Sequence, residues 1–128
     1  MFSVSQAAKE TGLSAKTLRY YAEIGLLRET DRSEAGYRLY DQASIARLTF
    51  VRRARDFGFS IPQCRDLLGL FDNPTRQSGQ VKDLANRHLG ALEKQRQELE
   101  QLCSSLKDLI KACPGDEGPD CPIISHLS

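Results

Sequence analysis

Cys113 and Cys121 are the residues whose type and spacing best suit chemistry. Each is followed by a proline, and seven residues separate them, Pro-Gly-Asp-Glu-Gly-Pro-Asp, none large and apolar. Prolines remove backbone donors and glycines favour turn geometry, so this stretch cannot continue a helix. It reads as a loop whose ends bring two sulfurs together. Pro122 then suits the first turn of a short helix over residues 122–127. Three chemistries remain open at this point: a disulfide closing the loop, two unrelated thiols, or a two-thiolate site for a soft metal ion. A closed zinc site normally takes four N or S donors, and the loop supplies two.

The elements that must hold this loop come from a chain of 128 residues and 14.3 kDa, enough for one domain and an appended element. The start, Met-Phe-Ser-Val-Ser, lacks the basic and apolar regions of a secretory signal, and no apolar run reaches membrane-spanning length. The expectation is a cytoplasmic protein without membrane contact, where thiols stay reduced; that disfavours the disulfide. The net charge of +1 is unevenly spread. Residues 1–71 hold 11 Lys and Arg against 8 Asp and Glu, and residues 72–128 hold 7 against 9. A basic front half and an acidic back half suit a nucleic-acid module joined to something else.

In the front half, Ser3 suits a helix N-cap and Gly12 a helix stop. Ser14 suits the next cap, before residues 15–23, which Ile24-Gly25 closes. Two short helices about a tight turn form a helix-turn-helix, whose second helix enters the DNA major groove. That helix offers Lys16, Thr17, Arg19 and Tyr20, cations and hydroxyls suited to phosphates and backbone register. Two extended pieces around the polar tip Arg32-Ser-Glu-Ala-Gly36 then read as a small hairpin, a wing, with Arg32, Tyr37 and Arg38 placed to grip DNA beside the groove. Asp41 is the expected cap of a helix over 42–57, with Arg52 and Arg55 on its basic face, and Ser60 that of another over 61–70. In the latter, Cys64 reads as a buried small hydrophobe.

After Asp72-Asn-Pro74, residues 75–111 contain no proline and predict one long helix. Ala85, Leu89, Leu92, Arg96, Leu99, Cys103, Leu106 and Ile110 recur at alternating steps of four and three. A four-three seam asks for a partner helix, and a homodimer follows as the expectation. His88 reads as packing at that seam and His126 as exposed; neither is read as a ligand. The fold expected is mainly α, with a DNA-binding domain over 1–71, a dimerisation helix over 75–111, and a loop with a short helix over 112–128.

This order of elements resembles the MerR family of bacterial transcription regulators. So do Thr17-Leu-Arg-Tyr-Tyr21, Gly25-Leu26, Gly36-Tyr-Arg-Leu-Tyr40 and residues 52–59. By that resemblance Lys16, Arg19, Arg32, Tyr37, Arg38 and Arg55 form the DNA-contacting set, and the coiled coil is antiparallel. The cysteine stretch resembles the CueR-type copper-efflux subgroup, which implies that Cys113 and Cys121 bind one Cu(I), or Ag(I) or Au(I), per loop. Zinc, lead and mercury sensors of the family carry a cysteine, contributed by the dimer partner, where this chain has Ser78. Lys82, one turn on, matches the lysine that neutralises the site. Taken alone, both read as ordinary residues of a solvated helix start. The resemblance further implies promoter DNA held by a dimer, and RNA polymerase as the beneficiary when metal distorts that DNA. A Cu(I) carrier, a thiol redox switch and a sensor of divalent soft ions are the rival readings. No Ser–His–Asp pattern, P-loop or HExxH is present, so an enzyme is not expected.

Overall fold

The computed structural model describes residues 1–27 and 32–128, and it divides into two compact units, Met1–Val81 and Lys82–Ser128. The first unit holds α1 (Val4–Thr11), α2 (Ala15–Glu23), α3 (Gln42–Asp56), α4 (Ile61–Asp72) and the opening turn of α5 (Ser78–Ala112). The remainder of α5 and α6 (Pro122–Leu127) belong to the second.

Each helix of the first unit starts where its sequence supplies a cap. The Ser3 and Ser60 hydroxyls accept from the N–H groups of Gln6 and Gln63, whose side chains reach back to the cap N–H in reciprocal capping boxes. Ser14 caps α2 through the Thr17 N–H, and the Asp41 carboxylate caps α3 through the Ser44 N–H at 2.7 Å. That bond holds the Asp41 carboxyl below the usual carboxylate range. Gly12 ends α1 in the left-handed region at φ +76°, a conformation costly for any residue with a Cβ.

With its ends fixed, α3 packs against α1 and α4, and α1 against α2. Leu18, Leu48, Val51 and Tyr40 are fully buried between them, and Cys64 joins them as a buried free thiol. Two longer-range links tie the layers. Arg47 of α3 pairs with Asp72 at the end of α4, and the Arg65 guanidinium donates to the Ile24 carbonyl at the end of α2.

Among the described residues the wing is a tight turn without continuous strands. The Ser33 N–H donates to the Tyr37 carbonyl at 2.7 Å and the Gly36 N–H to Ser33 at 2.8 Å, with an antiparallel bridge between Arg32 and Arg38. Residues 28–31 of the outgoing piece expected before Arg32 lie outside the described residues. The returning piece pairs with the start of the chain, Phe2 and Tyr40 exchanging both backbone hydrogen bonds at 2.7 and 2.8 Å.

The long helix begins three residues later than expected. Asn73 Oδ1 accepts from both the N–H and the hydroxyl of Thr75, and the Arg76 N–H donates to the Asn73 carbonyl. Asn73 thus closes a side-chain turn ahead of the helix, and residues 75–77 stay outside α5. From Ser78 the helix runs unbroken for 35 residues. No helix among the described residues is long and apolar enough to cross a membrane.

Candidate metal centre and nucleic-acid interface

Cys113 follows the last turn of α5, its N–H still donating to Leu109 and Ile110 carbonyls at 3.1 and 3.2 Å. Cys121 is the residue before α6, and its carbonyl accepts from the Ser125 N–H. Between them Gly115 turns at φ +64°, and the Gly118 N–H donates to the Asp116 carboxylate at 2.9 Å. The loop therefore returns on itself and brings the two sulfurs to 3.3 Å. A disulfide bond spans about 2.05 Å, so these are two free thiols in contact.

Both cysteines are half-buried as residues. Cys121 makes no formal side-chain capping bond. The Ile124 N–H in the first turn of α6 nevertheless draws its thiol below the ordinary range, helped by the Cys113 thiol and then by the Ile123 N–H. A lowered thiol is more fully ionised near neutral pH, and the thiolate is the metal-binding form. Among the described residues no group of three or more His, Cys, Asp and Glu side chains converges as a metal-ligand set. His126 is exposed on α6.

Ser78 and Lys82 sit at the other end of α5, both exposed. From Lys82 to Ala112 the axial rise is about 45 Å at 1.5 Å per residue, so one chain cannot bring its own Lys82 to its own cysteines. His88 is buried already within the single chain, and Cys103 is exposed.

In the first unit, Arg19 and Glu23 of α2, Arg32, Gly36, Tyr37 and Arg38 of the turn, and Val4 of α1 line one cleft of about 230 Å³. It gathers four of the eight residues expected to face DNA. Lys16 and Tyr20 stand exposed on α2 without lining it, and the Thr17 hydroxyl accepts from Ser14. One amino group of Arg32 already donates to the Gly36 carbonyl, which stiffens the turn. The Arg55 guanidinium is exposed but already engaged within its chain, donating to the Phe59 carbonyl at 2.8 Å and facing the Tyr21 hydroxyl. Burial raises the Tyr21 phenol, and Arg55 works against that rise.

Val4 and Glu23 are cleft residues that sequence reading missed. Glu23 follows Arg19 by one helical turn, a spacing visible in the sequence. Val4 arrives through the pairing of Phe2 with Tyr40, which no local pattern announces.

Residues 2–70 match the model of the MerR HTH family regulatory proteins, and residues 45–109 match the MerR DNA-binding model. The chain belongs to the MerR family. Curated relatives within it include the HTH-type transcriptional regulator CueR of Salmonella typhimurium, 41% identical over 98% of this chain and 91% of that protein. Heavy metal-dependent transcription regulator 1 of Rhizobium meliloti is 42% identical over 98% and 86%. Among solved structures, the regulator PbrR691 of Ralstonia metallidurans in complex with lead(II) is 33% identical, with a TM-score of 0.86 over all of both chains. The Bacillus megaterium MerR bound to mercury(II) is 27% identical, with a TM-score of 0.76 over 99% of this chain and 98% of that one.

Proposed function

We propose that this chain is a dimeric, Cu(I)-responsive transcriptional activator that also takes Ag(I) and Au(I) and switches on copper efflux or detoxification genes in the cytoplasm. The observation that carries the reading is the contact of the Cys113 and Cys121 sulfurs at 3.3 Å in a loop between two helix ends. Two soft thiolates suit a monovalent soft ion and leave Zn(II) short of donors. The CueR relatives add weight to copper. The lead and mercury complexes of the similar structures favour a divalent ion as the second reading.

Residues 1–71 are assigned to DNA, α5 to dimerisation and the chain from Cys113 onward to metal. Lys16, Thr17, Arg19, Tyr20, Arg32, Tyr37, Arg38 and Arg55 remain the proposed DNA set, with the cleft-lining arginines as its centre. The eight seam residues from Ala85 to Ile110 are all exposed in the single chain, the leucines and isoleucine between 39% and 59%. Such a stripe is stable in water when a second helix covers it.

An antiparallel two-fold pairing stacks Ala85 on Ile110, Leu89 on Leu106, Leu92 on Cys103 and Arg96 on Leu99 of the other copy. All eight residues find a layer, and sliding by one heptad in either direction leaves two seam residues of each copy without a partner. The same register sets Lys82 of one copy opposite Cys113 of the other. Two thiolates with one monovalent cation carry a net negative charge that is costly to bury alone, and that lysine compensates it. Ser78, one turn earlier, supplies a hydroxyl where a cysteine would add a third soft donor.

Activation follows from differential affinity. Metal favours one of two protein–DNA conformations, and the distorted promoter of that conformation is the one RNA polymerase uses. The test is anaerobic transcription from the cognate promoter with reductant present, titrating Cu, Ag, Au, Zn and Hg ions. Cu(I) should activate, and Cys113→Ser or Cys121→Ser should abolish the response while DNA binding persists. Activation of either variant by Cu(I) would overturn the site. A response to Zn or Hg alone would favour the divalent reading, and a response to oxidant without metal would favour a redox switch.

A further inference from the structure

The Ile24–Gly25 corner joins the two banks of the cleft proposed for DNA. One bank is Arg19 and Glu23 of α2, and the other is Arg32, Tyr37 and Arg38 of the turn. Between them the chain leaves α2 at Gly25, left-handed at φ +74°, and passes the buried Leu26 and Leu27. The Leu26 N–H donates to the Tyr21 carbonyl at 2.9 Å and the Gly25 N–H to the Ala22 carbonyl at 3.2 Å, the paired closure of a Schellman end. The Ile24 carbonyl is outside that closure, and it accepts instead from the Arg65 guanidinium of α4. The other amino group of Arg65 stands 4.0 Å from where a side chain on Gly25 would begin. One guanidinium therefore lies over both residues of the corner.

Among the described residues, α2 comes close along its backbone to α1 but to neither α3 nor α4. Side chains make those links. Arg55 of α3 faces the Tyr21 hydroxyl, and Arg65 of α4 holds Ile24. Both meet the C-terminal end of the helix, whereas Ser14 caps the other end from within. Arg65 makes no ion pair among the described residues and does not line the cleft, so the corner is what it serves. The nine residues of α2 span about 13 Å. A tilt of about 5° about the capped end moves the corner by roughly 1 Å, more than the roughly 0.5 Å spread of good hydrogen-bond distances.

We propose that Arg65 is a positioning residue for DNA recognition: it pins the corner between the reading helix and the turn, and so holds the two banks of the cleft at the spacing DNA requires. The inference rests on the reading of that cleft as the DNA site and adds a residue outside it. A helix-end carbonyl is a natural seat for a cation, and a guanidinium keeps its charge at every working pH. With no phosphate of its own, Arg65 contributes to the sequence-dependent part of binding and leaves the counterion-release part unchanged.

The experiment measures binding of the full, reduced chain to its promoter duplex and to an unrelated duplex, by fluorescence anisotropy across a salt series. Arg65→Ala should weaken promoter binding roughly threefold to tenfold per subunit, the scale of one net hydrogen bond. That comparison is made at about 0.15 M salt, where a charge more than about 8 Å from the duplex is largely screened. Binding to the unrelated duplex and the salt slope should both stay as they were. Arg65→Lys, which keeps an ammonium donor for the carbonyl, should recover most of the promoter affinity. Arg38→Ala, run beside it, should flatten the slope by about 0.9 per subunit.

If Arg65→Ala flattens the slope and weakens both duplexes alike, Arg65 is itself a phosphate contact and the inference is overturned. A loss on both duplexes that Arg65→Lys does not relieve would mark a fold defect and overturn it equally. If promoter binding is unchanged in Arg65→Ala while Arg38→Ala flattens the slope, the corner needs no pin, and the inference fails with the cleft reading intact. If Arg38→Ala also leaves slope and affinity unchanged, the cleft is not where DNA sits and both fall.

Discussion

Cys121 sits against the first-turn N–H groups of α6 and the Cys113 thiol, whereas Cys64 of α4 is fully buried. The first setting lowers a thiol and the second raises it, burial being the leading cause for Cys64. Alkylation of the metal-free, reduced protein near pH 7.5 should therefore label Cys121 at least roughly tenfold faster than Cys64, since the thiolate is the nucleophile. Peptide mapping of the early adducts checks it, and equal rates would mean that the loop lacks the electrostatics described. Of the candidate metal site, the return of the loop was legible in its prolines and glycines, which forbid a helix whatever lies around them. The lowering of Cys121 was not, because it depends on how the N–H groups of α6 are aimed.

At the scale of elements, helix ends dominate. Gly12→Ala would put a Cβ at φ +76° and 3.1 Å from the Arg52 side chain. The backbone strain alone should cost about 1 kcal/mol or more in urea unfolding, even if Arg52 moves aside. Asp41 gives a pH signature. Its folded carboxyl titrates below the usual 3.8, so its share of stability is complete above that value and is lost as pH falls through the folded one. Asp41→Asn should keep the cap and remove that acid-limb loss, whereas Asp41→Ala should cost roughly 1 kcal/mol near neutral pH. Acid titrations of the three proteins by circular dichroism decide this.

The four caps of the first unit could be read residue by residue, because a serine or aspartate before a helical pattern acts locally. The start of α5 could not. Asn73 closes a side-chain turn with Thr75 ahead of the helix, and nothing in the composition of 75–77 reveals that. Nor was the pairing of Phe2 with Tyr40 legible, since it joins residues 38 apart. His88 illustrates the same limit: it stands next to the seam residue Leu89 in sequence, and its burial within the single chain depends on packing that no local pattern announces.

For the whole molecule, the proposed DNA set centred on Arg19, Arg32 and Arg38 around one cleft makes salt dependence the telling measurement. Binding to promoter DNA should weaken linearly on a log–log plot against salt, and each cation that touches a phosphate contributes a slope of about −0.9. Arg19→Ala and Arg38→Ala should each flatten the slope by about one per subunit and weaken binding evenly across operator variants. Arg55→Ala should change the slope less, because its guanidinium is already held by the Phe59 carbonyl and the Tyr21 hydroxyl. An equal loss from Arg55 would show that its bond to the Phe59 carbonyl opens on DNA.

The closeness of the two loop sulfurs also governs how the protein keeps on the bench. Thiols in contact at 3.3 Å need no chain rearrangement before oxidation joins them, so dissolved oxygen will slowly staple the loop shut in any preparation left without reductant. Such a sample would still run as intact, folded regulator and still hold its promoter. Its deafness to copper would grow with storage time and vanish on treatment with a phosphine.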